Sequence, residues 1–216
     1  MAYNLTFGQI GSGLQTYQGE SSDFILNEYL SDYRHIAKKP ASVLIPLIKK
    51  SEGIKVLFTR RSSHLKYHAG QISFPGGKAE EGDRNALATA LREAKEEINL
   101  DSSKVKILGQ CPAHETVTGF RITPFVGKIT PPFKPSPQIE EVAEIFEASL
   151  GFLMDLENYK TETLLREGKK YRYLGMNYNG YHIWGATARI LYGLASHLNL
   201  NSFSSAKPGY VRFPNY

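Results

Sequence analysis

Gly76-Gly77-Lys78-Ala79-Glu80-Glu81-Gly82-Asp83 leads into Leu91-Arg92-Glu93-Ala94-Lys95-Glu96-Glu97-Ile98-Asn99-Leu100. A glycine turn thus precedes a helix-forming stretch with three glutamates in little more than one turn. A helix advances about 100° per residue, which sets Glu93, Glu96 and Glu97 at about 0°, 300° and 40°, so the carboxylates share an arc of about 100°. Leu87, Leu91, Ala94 and Ile98 form an apolar stripe beside them. The stretch is read as an amphipathic helix over 84–98, with Asp83 as its N-cap. It buries one face and offers a carboxylate cluster along the next.

Two readings of that cluster compete. Like charges at i,i+3 and i,i+4 cost only about 0.2–0.5 kcal/mol per pair on an exposed helix, so a solvated acidic face is tolerated. The alternative is a site for a hard divalent cation, which prefers oxygen ligands and takes one or two carboxylates with phosphate oxygens. The glutamates alone favour the solvated face. Gly76-Gly77, which lets backbone approach an ion or a phosphate, and the Arg92-Glu93 step shift the balance to the metal site.

Upstream stands Leu57-Phe58-Thr59-Arg60-Arg61-Ser62-Ser63-His64-Leu65-Lys66-Tyr67-His68-Ala69-Gly70-Gln71-Ile72-Ser73-Phe74-Pro75. Arg60, Arg61, Lys66 and His68 bring positive charge beside the glycine turn. Phosphate needs such donors, and Arg offers a bidentate fork. Cations on one side and metal-binding carboxylates on the other suit phosphoryl chemistry. Alternation at a strand end sends Arg60 and Arg61 to opposite faces, and Arg61 is the one assigned to the site. His64 and His68 are spaced i,i+4 but lack a third ligand. His114-Glu115 lacks the second histidine of a zinc protease motif. His35, His182 and His197 are read as packing or surface residues.

Gly77 to Leu100 resembles the Nudix box, in which a glycine leads to an Arg-Glu-x-x-Glu-Glu helix ending in Gly-hydrophobic. This chain has one extra residue between Gly77 and Arg92, Asp83 where a glutamate is usual, and Asn99 in place of the terminal glycine. Asn is the next-best residue for a left-handed C′ position. The upstream run resembles the motif of the coenzyme A pyrophosphatase branch of Nudix hydrolases. Leu57, Thr59, Arg61, Ser62, Gly70, Phe74, Pro75, Gly76 and Gly77 match in register, while Phe58 replaces a leucine and Lys66 an arginine. That branch shares the extra residue in the box. Thr118–Gly127, Glu141–Phe146 and Trp184–Ala188 are similar to its later segments, so the resemblance spans about 40–196.

The resemblance implies hydrolysis of the pyrophosphate bond of coenzyme A or acyl-CoA to 3′,5′-ADP and 4′-phosphopantetheine or its acyl form. It implies Mg²⁺ or Mn²⁺ held by Glu93, Glu96, Glu97 and the Gly77 carbonyl. Glu93, Glu96 and Glu97 are the catalytic carboxylates, with Glu141 on a later loop as a further candidate base. Arg60, Arg61, Lys66, His68, Gln71 and Gly76 are expected to contact substrate, and Arg92 to orient a glutamate. Two alternatives stay open: a Nudix pyrophosphatase acting on ADP-ribose, NADH or a nucleoside triphosphate, and a non-catalytic module binding a nucleotide or RNA. The complete Arg-Glu-x-x-Glu-Glu set argues against the latter.

Bulk properties agree with a globular chain. The sequence has 216 residues, 41% hydrophobic and 22% charged. No run of eighteen apolar residues marks a membrane span. The N-terminus lacks the basic and apolar regions of a secretory signal. The single cysteine, Cys111, excludes an intramolecular disulfide and is read as packing. A reducing, cytoplasmic setting is the default. The net charge of +5 is spread out. Lys169-Lys170 and Tyr171-Arg172-Tyr173 form a basic-aromatic patch, for which a solvated strand or loop is preferred over RNA contact. No nucleic-acid or membrane partner is expected.

Strands are predicted at 41–48, 54–60, 71–74, 105–109, 120–129 and 141–146. Pro46 suggests an edge or bulge, and Pro124 an interruption. Asn179-Gly180 predicts a hairpin between 171–178 and 181–184. Short helices are expected after a Ser21 or Ser22 cap, carrying Phe24, Ile25, Tyr29 and Leu30, and from 151. A closing helix is expected at 186–198. Residues 1–20 and the tail from Asn199 read as irregular, and 131–137 as a stiff proline linker. The expected organisation is an N-terminal extension (1–35) with a short helix, a Nudix-like domain (36–198) and a C-terminal tail (199–216). The expected fold is an α/β/α sandwich with a mixed β-sheet between helices.

Overall fold

The computed structural model describes residues 5–65, 68–166 and 168–203. The chain runs α1 (Phe7–Gln15), β1 (Ser21–Ser22), β2 (Lys39–Lys50), β3 (Gly53–Arg61), β4 (Ile72–Ser73), β5 (Gly76–Lys78) and α2 (Ala86–Ile98). It continues with β6 (Val105–Gln110), β7 (His114–Glu115), β8 (Phe120–Ile129), β9 (Val142–Ser149), α3 (Leu150–Leu153), β10 (Lys160–Arg166), β11 (Lys169–Tyr178), β12 (Tyr181–Trp184) and α4 (Ala186–Phe203).

Period-two alternation in the long strands creates the layers. Leu44, Leu57 and Phe125 point to one side and pack with Ala90, Ala94 and Ile98 of α2. Their neighbours Ile45, Val56, Phe58 and Val126 point to the other, against Ile10 and Leu14 of α1, Leu150 and Leu153 of α3, and Leu191 and Leu194 of α4. A mixed sheet of nine strands therefore lies between helical layers, as expected. Its main path is β1-β7-β8-β2-β3-β4, with β5 joining β2, β6 joining β8 and β9 joining β3. β2 runs parallel to β8 and antiparallel to β3.

Both prolines sit inside central strands, contrary to expectation. On one side β2 pairs with β5 over Ala41–Val43 and with β3 over Leu47–Lys50. Pro46 falls in the gap between these partners, where that side of the ladder asks for no bond. Pro124 falls between the β6 and β7 pairings of β8, and its carbonyl accepts from Cys111 N–H at 2.9 Å.

Several boundaries differ from the sequence reading. Residues 7–15 are helical rather than irregular. Thr6 and Gln9 form a reciprocal capping box, and Ile10 and Leu14 are buried in the core. Ser21 and Ser22 cap no helix. They form β1 against β7, and two 3₁₀ stretches follow, Asp23–Leu26 and Glu28–His35. α2 begins two residues late, at Ala86, with Asn85 as N-cap, because Asp83 is claimed by Arg92. β9 extends to Ser149, and α4 to Phe203, five residues into the expected tail. β10 was not foreseen. It builds a separate three-stranded antiparallel sheet with β11 and β12. The Asn179-Gly180 hairpin has both residues at positive φ, 47° and 86°, as a type I′ turn requires.

Candidate active site

α2 carries the glutamates, and both its ends are pinned. Asn85 Oδ1 accepts from Ala88 N–H at 2.9 Å. At the other end Asn99 adopts φ 56°, ψ 34°, the left-handed region where Asn substitutes best for glycine. The 131–137 segment is no free linker beyond this point. Ser136 and Gln138 N–H groups donate to the carbonyls of Ile98 and Glu97 at 3.2 and 3.0 Å, satisfying acceptors that a helix end leaves open.

β5 brings Gly76-Gly77 against the glutamate face. A Cβ on Gly77 would collide with the Glu93 carboxylate, and one on Gly76 with the Ser42 carbonyl and Val43. Two bare residues are what lets backbone and carboxylates approach this closely. Gly76 N–H donates to Glu97 Oε2 at 3.3 Å.

Arg92 organises three carboxylates of the cluster, Asp83, Glu93 and Glu96. Its Nε and Nη2 grip both oxygens of Asp83 at 3.0 and 3.1 Å, and Nη2 also donates to the Lys78 carbonyl at 3.0 Å. Nη1 reaches Glu96 Oε2 at 2.9 Å and Glu93 Oε1 at 3.1 Å. The Arg92 guanidinium holds the Asp83 carboxyl well below the usual carboxylate range. The sequence reading missed this role of Asp83.

Glu97 is different. Its side chain is 4% exposed, and among the described residues the cation paired with it, Arg61 Nη1, stands 4.0 Å from Oε1. Burial, then the neighbouring Glu93 charge, push its carboxyl up to about 8 against the partial help of Gly76 N–H and Arg61. Burial raises Glu93 as well, opposed by Arg92. Arg61 Nε is itself buried without a hydrogen-bond partner among the described residues.

Strand alternation separates the two arginines. Arg61 turns toward α2, whereas Arg60 Nη2 binds Glu144 Oε2 at 2.9 Å, and Tyr181 donates to the other oxygen of Glu144 at 2.6 Å. Arg60 therefore stands apart from the glutamates. His68 and Gln71 lie on the loop that folds back onto Arg61 and bond to each other at 2.6 Å. Lys66 lies outside the described residues.

Glu141 comes to the glutamate helix from the segment before β9. Ser62 fixes that segment twice, its N–H donating to the Glu141 carbonyl at 2.9 Å and its Oγ to the Ile139 carbonyl at 3.0 Å. Gln138 Oε1 accepts from Glu141 N–H at 3.0 Å. Glu96, Glu97, Gln138 and Glu141 line an open cleft of about 310 Å³. Gln138 carried no sequence signal, because only its docking on the end of α2 brings it here.

Among the described residues, no three His, Cys, Asp or Glu side chains converge closely enough to hold a metal by themselves. The donor chemistry nonetheless fits a hard cation. Glu97 is a buried carboxylate with too little counter-charge, next to Glu93 and a bare backbone turn. An ion that takes one or two carboxylates and completes its shell with water and phosphate asks for no more.

The remaining candidates fall elsewhere. Cys111 is buried, and burial pushes its thiol up to about 12, so it packs rather than reacts. His114 is buried, bonded to Ser21 Oγ at 2.9 Å and Asp23 Oδ1 at 3.1 Å, and ties β1 to β7. His197 stacks on Tyr17. No helix among the described residues is long and apolar enough to cross a membrane.

A family model described as NUDIX domain matches residues 38–171. The uncharacterized Nudix hydrolase NudL of Enterobacter sp. (strain 638) is 36% identical over 190 residues, covering 84% of this chain and 98% of that protein. NudL of Photorhabdus laumondii subsp. laumondii is 40% identical over 160 residues, covering 74% and 85%. A crystal structure of a Nudix hydrolase from M. smegmatis, RenU, matches with a TM-score of 0.49 at 15% identity, covering 82% of this chain and 91% of that one.

Proposed function

The chain belongs to the NUDIX family, a Nudix hydrolase of nucleotide-derived substrates, and we propose that it cleaves the pyrophosphate bond of coenzyme A or acyl-CoA. The products are 3′,5′-ADP and 4′-phosphopantetheine or its acyl form. One observation carries this reading. The upstream motif that resembles the coenzyme A branch places its matching arginine, Arg61, 4.0 Å from the buried Glu97.

The residues divide the work. Glu93, Glu96 and Glu97, with the Gly77 carbonyl, would hold Mg²⁺ or Mn²⁺, which would supply charge neutralisation for the phosphates and lower the pKa of bound water. Arg92 holds the Glu93 and Glu96 carboxylates in place through its Nη1. Arg61 has an unfilled Nε–H and offers its guanidinium to a phosphate oxygen. Gly76, His68 and Gln71 shape the substrate side of the turn; Lys66 is kept as a substrate contact on the sequence motif alone. Arg60, held by Glu144, acts at most on a distal part of the ligand.

Glu141 is the proposed general base. Glu93 and Glu96 are engaged by Arg92, whereas the Glu141 carboxylate makes no hydrogen bond or ion pair among the described residues. It faces the cleft beside Glu97 and accepts the proton of the attacking water at its carboxylate oxygen.

Product analysis tests the reading. Coenzyme A, ADP-ribose and NADH are incubated in parallel with and without Mg²⁺ or Mn²⁺. Metal-dependent 3′,5′-ADP from coenzyme A, with the other two poor, is expected. Preferential cleavage of ADP-ribose or NADH overturns the substrate assignment while leaving the glutamate helix as the hydrolytic centre.

A further inference from the structure

The basic-aromatic patch Lys169-Lys170-Tyr171-Arg172-Tyr173 lies in β11, and the hydrolytic cleft does not use it. Strand geometry fixes which way it faces. In β11 the buried Leu174 and Met176 alternate with Tyr171, Tyr173 and Asn177, so the tyrosines stand on the face turned from the core. Register sets Leu164 opposite Tyr171, Glu162 opposite Tyr173 and Lys160 opposite Gly175. On the other flank Trp184 is opposite Gly175, and His182 is opposite Asn177. Cross-strand partners share a face, so all of these stand together.

The outcome is a row of aromatic rings. Tyr29 lies 6.4 Å from Tyr171, Tyr173 follows two residues along the strand, and its ring is 5.1 Å from Trp184. None of the four belongs to either core cluster. Tyr29 is locked in place, since its hydroxyl donates to the Lys170 carbonyl, and nearby Asn27 bonds both the N–H and the carbonyl of Arg172 at 2.8 Å. Gly175 keeps the centre flat, because a Cβ there would fall 3.0 Å from His182 Cε1 and 2.6 Å from Glu162 Oε1. Glu162 is paired with His182 at 3.3 Å. Lys160 and Lys169 are exposed on this face, and Lys170 and Arg172 are exposed on its reverse at the rim.

We propose that the outer face of β10–β12 docks single-stranded nucleic acid, stacking bases on Tyr29, Tyr171, Tyr173 and Trp184 and pairing its phosphates with Lys160 and Lys169, while Lys170 and Arg172 add positive charge at the rim. Charge selects this occupant. Lys160 and Lys169 flank the rings on this face, Lys170 and Arg172 lie at its rim, and Glu162 is already engaged, within a chain of net charge +5. Several rings in a row match a ligand that presents several unstacked bases on an anionic backbone. A duplex hides its base faces, and a mononucleotide fills one ring. The face belongs to the layer opposite α2, so the proposal stands independently of the hydrolytic assignment.

Trp184 is the sole tryptophan, so intrinsic fluorescence reads this face directly. The full chain, in EDTA to suppress hydrolysis, is titrated with a short oligo(U) and with its duplex. Saturable quenching by the single strand is expected, weakening with salt and weaker for the duplex. Tyr171→Ala and Tyr173→Ala should loosen binding by at least about fivefold, Tyr173→Phe should retain it, and Lys169→Ala should flatten the salt dependence. The metal-dependent turnover of all four variants should match the parent. Absence of quenching at low salt, equal quenching by duplex or by a mononucleotide, or unchanged affinity in both alanine variants overturns the proposal. Should the alanine variants fail to fold, retained binding in Tyr173→Phe together with a flattened salt slope in Lys169→Ala decides in its favour, and loss of neither decides against.

Discussion

Glu97 makes the metal-free protein sensitive to pH in a direction opposite to that of most carboxylates. Its carboxyl is carried from the ordinary 4.5 to about 8 by burial and by Glu93. Between those values the folded chain keeps a proton that the unfolded chain has released. The stability tied to this group is therefore complete below about pH 4.5 and is lost as pH rises toward about 8. At about 1.4 kcal/mol per tenfold in proton affinity, the loss is bounded near 5 kcal/mol, and relaxation or water entry will make the measured value smaller. Glu93 shifts the same way and adds to the loss.

Urea denaturation in EDTA at pH 5, 7 and 9 measures it, with the Glu97→Gln variant alongside to cancel every other titrating group. The parent should lose about 2–5 kcal/mol relative to Glu97→Gln between pH 5 and 9. Glu97→Gln should be the more stable protein at pH 9 without metal, and it should lose most of its metal-dependent turnover. Added Mg²⁺ should restore the parent and leave the variant nearly unmoved. A parent whose stability is flat or rising over this range, or a variant that falls in parallel with it, refutes the account of an under-compensated buried carboxylate.

Arg92→Ala removes the partner of Asp83, whose side chain is 7% exposed, and should cost about 3 kcal/mol in denaturant as well as lowering turnover; a loss under about 1 kcal/mol would show that Asp83 finds other support. Gly77→Ala pushes the Glu93 carboxylate away from the turn, and steady-state kinetics should show kcat down about a hundredfold with secondary structure intact by circular dichroism. Asn99→Ala forces alanine into the left-handed region and should cost about 1 kcal/mol, while Asn99→Gly should be neutral or slightly stabilising in the same melts.

What the sequence conveyed was mostly local. Helical spacing placed Glu93, Glu96 and Glu97 on one face, alternation separated Arg60 from Arg61, and Asn179-Gly180 marked its hairpin. What it withheld depended on partners distant in the chain. Asp83 reads as an N-cap until Arg92 is seen to take both its oxygens, leaving Asn85 to cap α2. Pro46 and Pro124 read as strand breakers until the sheet shows gaps in the ladder beside each. β10 lacks an apolar alternation because its outer face meets solvent and its far end overhangs the core, leaving Leu165 68% exposed. α1 was legible in principle, since Thr6 followed three residues later by Gln9 is a capping-box pattern.

The two arginines near the cluster differ in reach, and that difference explains how a site can be acidic and still fold. Arg92 binds Asp83, Glu93 and Glu96 at 2.9–3.1 Å and compensates that part of the cluster by direct contact. Arg61 stops 4.0 Å from the buried Glu97 and compensates it only in part. Were Arg61 in full contact, the pair would be satisfied within the protein, and a cation would have to displace it before binding. Set back, it leaves Glu97 short of positive charge. Its side chain keeps 29% of its surface exposed, so the outer part of its guanidinium stays available to an anion. On the proposed function, a metal bound to a pyrophosphate would supply what both groups lack, the cation for Glu97 and the anion for Arg61. The instability that the under-compensated Glu97 builds into the metal-free cluster would then also favour cation binding, and its size is what the pH titration of Glu97→Gln against the parent measures.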